Sequence, residues 1–293
     1  MLNALYKDSL ISLFVCDCIT GMKELPSGLC DLIVTSPPYN VGKEYEKDQD
    51  FGSYLKLIHD FYTEGKRIIK NGGYCIVVVA PFYIGYSGVH QRYQPTEYMH
   101  HVIAEKAGWV HGTTRIWEKD FATLDDKYSI STTLPKLEWE YILCFRKPGG
   151  GKEKIREQNV HPRAIWSTSG IRQQNSSSLQ RHVAAFPEVL VQKALTVYSD
   201  ESDTVVDPFS GGGTTLYVAK KMNRSAIGFE INPEYAQKSI KLLQQLTLDQ
   251  MDVQQVGVID QMSLDGVGNE EKPDERANKE EHNPIPEEYS FPS

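Results

Sequence analysis

Short apolar runs alternate along the chain with longer segments in which apolar residues recur at helical spacing. The runs predict β-strands, and the periodic segments predict amphipathic helices. Ile76-Val77-Val78-Val79 is a continuous β-branched run, which suits a strand buried on both faces of a parallel sheet. The predicted strands cover residues 10–15, 32–35, 74–80, 113–117, 139–145, 203–206 and 225–230.

Five segments carry the helical pattern. The first ends at Asn71-Gly72-Gly73, which predicts a glycine terminator, and the last opens at Asn232-Pro233, where Asn suits the N-cap and Pro the first helical position. Strands that alternate with helices predict an α/β fold with a doubly wound, mostly parallel sheet. The predicted helices cover residues 53–70, 96–106, 187–198, 213–221 and 233–246.

Two stretches, residues 82–95 and 147–180, lack regular periodicity and predict loops. After about Gly266 the chain is acidic and contains several prolines but few large apolar residues. Such a composition cannot bury enough apolar surface to fold. We therefore expect one folded domain over residues 1–265 and a poorly ordered acidic tail over residues 266–293.

The negative charge of the chain is concentrated near its C-terminus. The 293 residues carry a net charge of −8, and residues 262–293 hold nine Asp/Glu against three Lys/Arg, a net of −6. Residues 136–181 hold nine Lys/Arg against four Glu, a net of +5. A local basic stretch on a near-neutral body can follow nucleic-acid phosphates, and a solvated basic loop is the alternative interpretation.

Several classes of protein are disfavoured by what the chain lacks. No apolar run reaches the roughly 18 residues of a membrane span, and the first 13 residues do not resemble a signal peptide. We therefore expect a cytoplasmic protein without a membrane partner. The five cysteines form no C-x-x-C pair, and no His/Cys/Asp cluster has metal-ligand spacing, so we expect structural thiols and no metal.

A glycine-rich loop follows the predicted strand that ends near Asp207. Residues 205–215 read Val-Val-Asp-Pro-Phe-Ser-Gly-Gly-Gly-Thr-Thr, which predicts a strand, a loop that a ligand can approach closely, and a helix start. Glu230 ends the next strand, where an acid can accept hydrogen bonds from ribose hydroxyls. No Lys follows the glycines, and Leu216 occupies the last position of a dinucleotide fingerprint. An adenosine ligand without phosphates, such as S-adenosylmethionine, fits better; a purely structural turn is the alternative.

A second motif, Ser36-Pro37-Pro38-Tyr39, follows the predicted strand 32–35. Two prolines make this loop rigid and remove two N–H donors, so it presents carbonyls, a hydroxyl and an aromatic ring. Such a loop suits an exocyclic amine of cytosine or adenine. This amine is a poor nucleophile because its lone pair is delocalised into the ring, and two acceptors on its N–H bonds would favour a nucleophilic geometry. The Ser36 hydroxyl and the Pro37 carbonyl can be those acceptors, and Tyr39 can stack on a base that has left the duplex. A simple proline turn is the alternative.

Together, the two motifs resemble the DNA amino-methyltransferases that act on cytosine N4 or adenine N6. Their order, with Pro-Pro-Tyr before the glycine loop, resembles the beta class, and the resemblance extends from about Phe14 to Leu246. It implies a methyltransferase domain over residues 1–265, with a circularly permuted order of motifs and S-adenosyl-L-methionine as cofactor. It also implicates Asp17, in Cys16-Asp17-Cys18, and Phe186, in the segment 182–187. The expected cofactor-binding residues are Asp17, Thr35, Phe186, Asp207, Phe209, Gly211, Gly213, Thr214, Thr215 and Glu230. The expected catalytic residues are Ser36, Pro37, Pro38 and Tyr39.

The residue before Pro-Pro-Tyr bears on the target base. In this family Asp is usual there in adenine enzymes and Ser is more typical of cytosine-N4 enzymes, so Ser36 favours cytosine over adenine. Cytosine C5 chemistry needs a Pro-Cys nucleophile, and no Cys here follows a Pro. Methylation of RNA or of a protein amide, and a DNA-binding protein without catalysis, remain alternatives.

The family places its variable DNA-recognition segment between the late strand and the cofactor-closing segment, here about residues 147–180. Arg, Asn and Gln there could contact base edges, and Lys could contact phosphates. The partner implied is double-stranded DNA in a prokaryotic cell; a cognate restriction endonuclease and a homodimer are further partners that the resemblance allows. The candidate DNA-binding residues are Lys152, Lys154, Arg156, Arg163, Arg172, Gln173 and Gln174.

Overall fold

A nine-stranded mixed sheet forms the centre of the fold. The computed structural model describes residues 3–39, 50–84, 92–119, 139–150, 163–167 and 187–247, all within one compact unit, Met1–Leu248. The strands are β1 (Tyr6–Lys7), β2 (Ile11–Val15), β3 (Cys30–Thr35), β4 (Ile69–Val79), β5 (Phe82–Ile84), β6 (Arg92–Gln94), β7 (Val110–Glu118), β8 (Trp139–Arg146), β9 (Ile165–Ser167), β10 (Thr204–Asp207) and β11 (Ser225–Glu230).

The strands of the large sheet lie in the order β1-β2-β11-β10-β3-β4-β8-β7-β9, and β5 and β6 form a separate hairpin. The five neighbours from β2 to β4 are all parallel. Strand β8 runs antiparallel to both β4 and β7, whereas β9 pairs parallel with β7. The predicted α/β fold with a mostly parallel sheet is therefore confirmed.

Helices cover both faces of this sheet. They are α1 (Cys18–Glu24), α2 (Phe51–Ile68), α3 (Thr96–Lys106), α4 (Glu188–Tyr198), α5 (Thr214–Lys221) and α6 (residues 233–247). Helices α1 to α3 share one apolar core with one face of the sheet, and α4 to α6 share a second core with the other face. Successive strand residues alternate between the two cores, as Ile33 and Val34 do in β3. No helix in these ranges is long and apolar enough to cross a membrane.

The connections that leave β3 and β10, which are neighbours in the sheet, run to opposite sides of the sheet. From β3 the chain continues through α2 to the neighbouring β4, whereas from β10 it continues through α5 on the opposite face to β11, on the other side. A crevice opens at the carboxyl ends of the strands wherever an open α/β sheet has such a switch point, and ligands bind there. Both motifs found in the sequence follow these two strands.

The glycine terminator predicted after α2 is wrong. The helix ends at Ile68, and Asn71-Gly72-Gly73 lies inside β4, where the register against β3 shifts between Cys30 and Leu32. Gly72 has a φ of +80°, and a Cβ on Gly73 would lie 2.7 Å from the Asp31 carbonyl oxygen. The glycines therefore serve a bulge and a close approach of two strands, which the sequence pattern could not distinguish from a helix stop.

The sequence pattern also missed several short elements. Helix α1 was not predicted, because its seven residues span only two turns. The hairpin β5–β6 lies in the stretch 82–95, and β9 lies in the stretch 147–180, which were both predicted to be irregular. Strand β9 buries Trp166 against the sheet, so part of the expected recognition segment belongs to the central fold. The acidic tail lies outside the described residues.

Two cysteines and three tryptophans lie in the core of the fold. Cys75 and Cys144 are fully buried, and all five cysteines are free thiols. Trp109, Trp117 and Trp166 are buried in the core.

Helix α1 approaches β11 so closely that only glycine fits at their contact. A Cβ on Gly21 would lie 2.3 Å from the ring of Phe229, which is buried and stacks on Phe14 at a centroid distance of 5.6 Å. We expect Gly21→Ala to lower the free energy of unfolding by about 1–3 kcal/mol through overpacking. Gly52→Ala is the matched control, because Gly52 is also helical but exposed, and should change it by less than about 1 kcal/mol. Equal urea-unfolding midpoints for the two variants would contradict this account.

Candidate active site

Four adjacent parallel strands end at the candidate site. The expected residues lie at or just after the ends of four strands: β2 (Asp17), β11 (Glu230), β10 (the glycine loop) and β3 (Ser36-Pro37-Pro38-Tyr39). Because the carboxyl ends of parallel strands share one edge of the sheet, these segments meet although up to 213 residues separate Asp17 from Glu230 in sequence. The sheet order therefore brings both motifs to one crevice.

The glycine loop is a tight turn between β10 and α5. Gly211 and Gly213 have φ values of +50° and +85°, and the Gly213 N–H donates to the Ser210 carbonyl at 2.8 Å. A Cβ on Gly213 would lie 2.0 Å from Ser239 Oγ of α6, so this position excludes a side chain both by conformation and by space. Gly213 also caps α5, whose first residue is the half-buried Thr214.

Glu230 is held by two backbone amides at the end of β11. Its Oε2 accepts from the Gly211 N–H at 2.8 Å and its Oε1 accepts from the Asn232 N–H at 2.7 Å. Burial raises the pKa of Glu230, and the amide hydrogen bonds oppose that shift. Each carboxylate oxygen can accept more than one hydrogen bond, so the fixed carboxylate can still accept from a diol. Next to it Ile231 is 69% exposed and offers an apolar surface.

The segment after β2 lies beside Glu230. The Cys16 N–H donates to the Glu230 carbonyl at 3.1 Å. Asp17, which follows, is exposed and caps α1 by accepting from the Thr20 N–H at 2.9 Å. The structure therefore brings Asp17 and Glu230 to the same end of the crevice.

A buried hydrogen bond joins the two motif-bearing strands. Thr35 at the end of β3 donates its hydroxyl to Asp207 Oδ1 at the end of β10, at 2.6 Å. The same oxygen accepts from the Phe209 N–H at 3.1 Å, so Asp207 also shapes the first turn of the glycine loop. Thr35, Asp207 and Thr215 are all buried, so their side chains lie below the surface of the crevice.

The Ser-Pro-Pro-Tyr loop contacts the next two strands. Ser36 donates its hydroxyl to the Val78 carbonyl of β4 at 3.1 Å and lies 2.7 Å from the Tyr39 hydroxyl oxygen. Tyr39 donates to Glu140 Oε2 of β8 at 3.0 Å. Glu140 is a site residue that the sequence analysis did not single out; a carboxylate inside the apolar strand Trp139–Arg146 was the available signal. Pro37 is buried and Pro38 is half-buried.

Most of the remaining expected residues lie outside the described part of the chain. Of the candidate DNA-binding residues, Arg163 alone falls within it; its side chain is exposed, and its carbonyl accepts from Arg115 at 2.9 Å. Phe209 packs edge-on against Phe61 at a centroid distance of 5.6 Å. The residues outside the described ranges are Lys152, Lys154, Arg156, Arg172, Gln173, Gln174 and Phe186.

Fold and site together define the class of protein: a methyltransferase of the S-adenosylmethionine-dependent type, with the Ser-Pro-Pro-Tyr loop and the glycine loop at adjacent strand ends. A sequence profile described as DNA methylase, covering N6 and N4 enzymes, matches residues 30–241. The chain therefore belongs to the DNA amino-methyltransferase family.

Characterised relatives agree with this assignment. The chain is 28% identical to the type II methyltransferase M.HpaI of Haemophilus parainfluenzae, over 74% of this chain and 69% of that one. It is 27% identical to M.ScaI of Streptomyces caespitosus, over 78% and 80% of the two chains.

Solved structures show the same fold. A putative DNA modification methylase of Thermus thermophilus, complexed with S-adenosyl-L-methionine, has a TM-score of 0.62 and 27% identity, and the match covers 80% of this chain and 94% of that one. The cytosine-N4-specific PvuII DNA methyltransferase has a TM-score of 0.67 and 19% identity, over 82% and 89% of the chains, and this likeness shows the fold alone.

Asp207 should make the stability of the protein depend on pH. Burial raises the pKa of Asp207 to about 6, although hydrogen bonds from Thr35 and the Phe209 amide oppose the shift. Between about pH 4 and pH 6 the native state keeps a proton that the unfolded chain has released, so stability should fall as the pH rises through this window, by roughly 1–3 kcal/mol. Asp207→Asn removes the titrating group and should remove this part of the pH dependence.

The measurement is urea unfolding of both proteins at pH 4 and pH 7. Other carboxyl groups titrate in both proteins, so the difference between the two pH dependences isolates Asp207. Parallel pH dependences would show that Asp207 does not titrate in this range.

Proposed function

We propose that the protein transfers a methyl group from S-adenosyl-L-methionine to the N4 amine of cytosine in duplex DNA, as a type II modification methyltransferase. The observation that carries this proposal is the hydroxyl of Ser36, held at the carboxyl end of β3 next to the strand that carries the glycine loop. In the family that this chain belongs to, serine before Pro-Pro-Tyr is more typical of cytosine enzymes, and aspartate is usual in adenine enzymes.

The cofactor side of the crevice fits an adenosine ligand without phosphates. The Glu230 carboxylate, held by two backbone amides, can accept hydrogen bonds from ribose hydroxyls. The exposed apolar side chain of Ile231 offers a surface for an adenine ring. The loop Phe209–Thr214 supplies close backbone approach but no lysine for a phosphate. We assign Asp17 to the same side. When bound, S-adenosylmethionine supplies a methyl group on a positively charged sulfur, which a nitrogen can attack directly.

Three expected cofactor residues receive a supporting role in this proposal. Thr35 and Asp207 are buried and hydrogen-bonded to each other, so they hold the two loops in place from below, and Thr215 is likewise buried at the start of α5. Reaction by direct displacement depends on positioning more than on acid–base power. Buried residues that fix the two loops from below provide this positioning.

The base side consists of the Ser-Pro-Pro-Tyr loop. Ser36 Oγ and the Pro37 carbonyl accept the two amine hydrogens, which turns the nitrogen lone pair toward the methyl group. Tyr39 provides a ring on which a base that has been flipped out of the duplex can stack. Pro37 and Pro38 keep the two acceptors in fixed positions.

The biological setting is part of the proposal. The curated relatives are type II methyltransferases, so we propose a role in a restriction–modification system with a cognate endonuclease. A chromosomal DNA substrate places the working enzyme in the cytoplasm. The basic segment 147–180 is proposed to contact DNA, and a homodimer remains a prediction.

The experiment is mass spectrometry of nucleosides from unmethylated genomic DNA after incubation with the protein and S-adenosylmethionine. N4-methylcytosine is the expected product. If the product is N6-methyladenine, the assigned fold and chemistry stand, but serine must be able to replace aspartate in the adenine reaction. Absence of both products would remove DNA as the substrate, and RNA and protein amides would then be tested as competitors.

Ser36→Ala should abolish methyl transfer while cofactor binding survives. The change removes one of the two acceptors that activate the amine but leaves the cofactor side intact, so we expect a loss of at least ~100-fold in the single-turnover rate. Calorimetric titration with S-adenosylmethionine should give a dissociation constant within about threefold of the original value. A variant with a normal methylation rate would remove Ser36 from the catalytic assignment.

A further inference from the structure

A buried carboxylate lies directly behind the Ser-Pro-Pro-Tyr loop. Glu140 is the second residue of β8 and only 7% exposed. Its Oε2 accepts the Tyr39 hydroxyl at 3.0 Å, and its Oε1 accepts Lys119 Nζ at 2.5 Å. A buried charge of this kind is costly unless it is paired and hydrogen-bonded, and here both oxygens have partners.

Lys119 fixes one oxygen of this carboxylate and leaves the other to the tyrosine. It directly follows β7, whose last residue, Glu118, pairs with Trp139 next to Glu140. The Lys119 ammonium also lies 5.3 Å from the ring centre of Trp117. These contacts hold the lysine at the end of β7, so Glu140 is oriented with Oε2 toward the catalytic loop.

The hydroxyl hydrogens around Ser36 can be counted. Three contacts involve the two hydroxyl groups: Tyr39 to Glu140 at 3.0 Å, Tyr39 to Ser36 at 2.7 Å, and Ser36 to Val78 at 3.1 Å. The two hydroxyl groups have only two hydrogens to donate in these three contacts. A carboxylate can only accept, so the Tyr39 hydrogen goes to Glu140. The Ser36 hydrogen is then shared between the Val78 carbonyl and the Tyr39 oxygen. In this arrangement no described group donates to Ser36 Oγ, and its lone pairs can accept from an amine.

We infer that Glu140 is a positioning residue that keeps Ser36 available as a hydrogen-bond acceptor, by holding the hydroxyl hydrogen of Tyr39. This inference rests on the proposed function, because it concerns how Ser36 accepts an amine hydrogen. Without Glu140 the Tyr39 hydroxyl, 2.7 Å from Ser36 Oγ, would donate to Ser36 and occupy the lone pair that the amine requires.

The test is a double-mutant cycle that combines a change at Glu140 with removal of the Tyr39 hydroxyl. In Glu140→Gln the amide oxygen pairs with Lys119, because the cation excludes the NH₂ group, and the NH₂ group then faces Tyr39. The tyrosine hydrogen turns to Ser36. Tyr39→Phe keeps an aromatic ring but has no hydrogen to misdirect. The single-turnover rate of methyl transfer to DNA, at saturating S-adenosylmethionine, is measured for the original protein, both single variants and the double variant.

We expect Glu140→Gln to lower the single-turnover rate by about 10–100-fold, the effect of one charge-assisted hydrogen bond. The dissociation constants for S-adenosylmethionine and DNA should change by less than about threefold. In the Tyr39→Phe background the same change at Glu140 should cost less than about threefold, because its effect passes through the hydroxyl. This strong non-additivity is not expected of a residue that only supports the fold.

Glu140→Asp is the second variant, because it keeps a negative charge for Lys119 but shortens the side chain that reaches Tyr39. It should show the same dependence on the tyrosine hydroxyl, even if Glu140→Gln fails to fold. A cost at Glu140 that is equal with and without the hydroxyl, or an unaltered rate in Glu140→Gln and Glu140→Asp, would overturn the inference. An original protein that methylates no DNA would instead refute the proposed function, and the inference with it.

Discussion

The hydrogen bond from Thr35 to Asp207 is the constraint on which the rest of the site depends. It joins the ends of β3 and β10 at 2.6 Å inside the protein, at the point where the chain changes its direction of progress across the sheet. The residue after Thr35 begins the Ser-Pro-Pro-Tyr loop, and Asp207 also accepts a hydrogen bond from the Phe209 amide at the start of the glycine loop. One buried carboxylate thus fixes the relative position of two segments that are 172 residues apart in sequence. Its raised pKa shows that burial of this charge has a cost, which these hydrogen bonds reduce.

The site extends from this junction in two directions along the sheet. On one side Glu230 is oriented by two backbone amides, and the segment before Asp17 is attached to it through the Cys16 amide. On the other side Ser36 and Tyr39 are tied to β4 and β8. The strands place these groups with little freedom, as the proposed methyl transfer by direct displacement requires. The two sides meet where Thr35 and Asp207 bond.

The sequence predicted the fold class and the location of both motifs, because long β-branched runs and glycine and proline loops are local signals. Prediction from the sequence failed where a local pattern was compatible with two structures, or where no local pattern indicated the structure. Asn71-Gly72-Gly73 has the composition of a helix stop, yet Gly73 is required by the nearby Asp31 carbonyl of another strand. Glu140 is one polar residue in an apolar strand, and its contact with Tyr39 depends on a sheet order that no local pattern encodes. The buried position of Asp207 likewise follows only from packing.

The most direct test of the central claim, that one buried hydrogen bond aligns the two loops, is Thr35→Val, which keeps the shape of the side chain but removes the donor. Thr35→Ser, which keeps the hydroxyl, is the control. With both variants folded at the assay temperature, calorimetry and single-turnover methylation should show that Thr35→Val loses about tenfold or more in both S-adenosylmethionine affinity and rate. The serine variant should stay near the original values. Unaltered affinity and rate in Thr35→Val would contradict the account and leave the Thr35–Asp207 bond as a feature of stability alone.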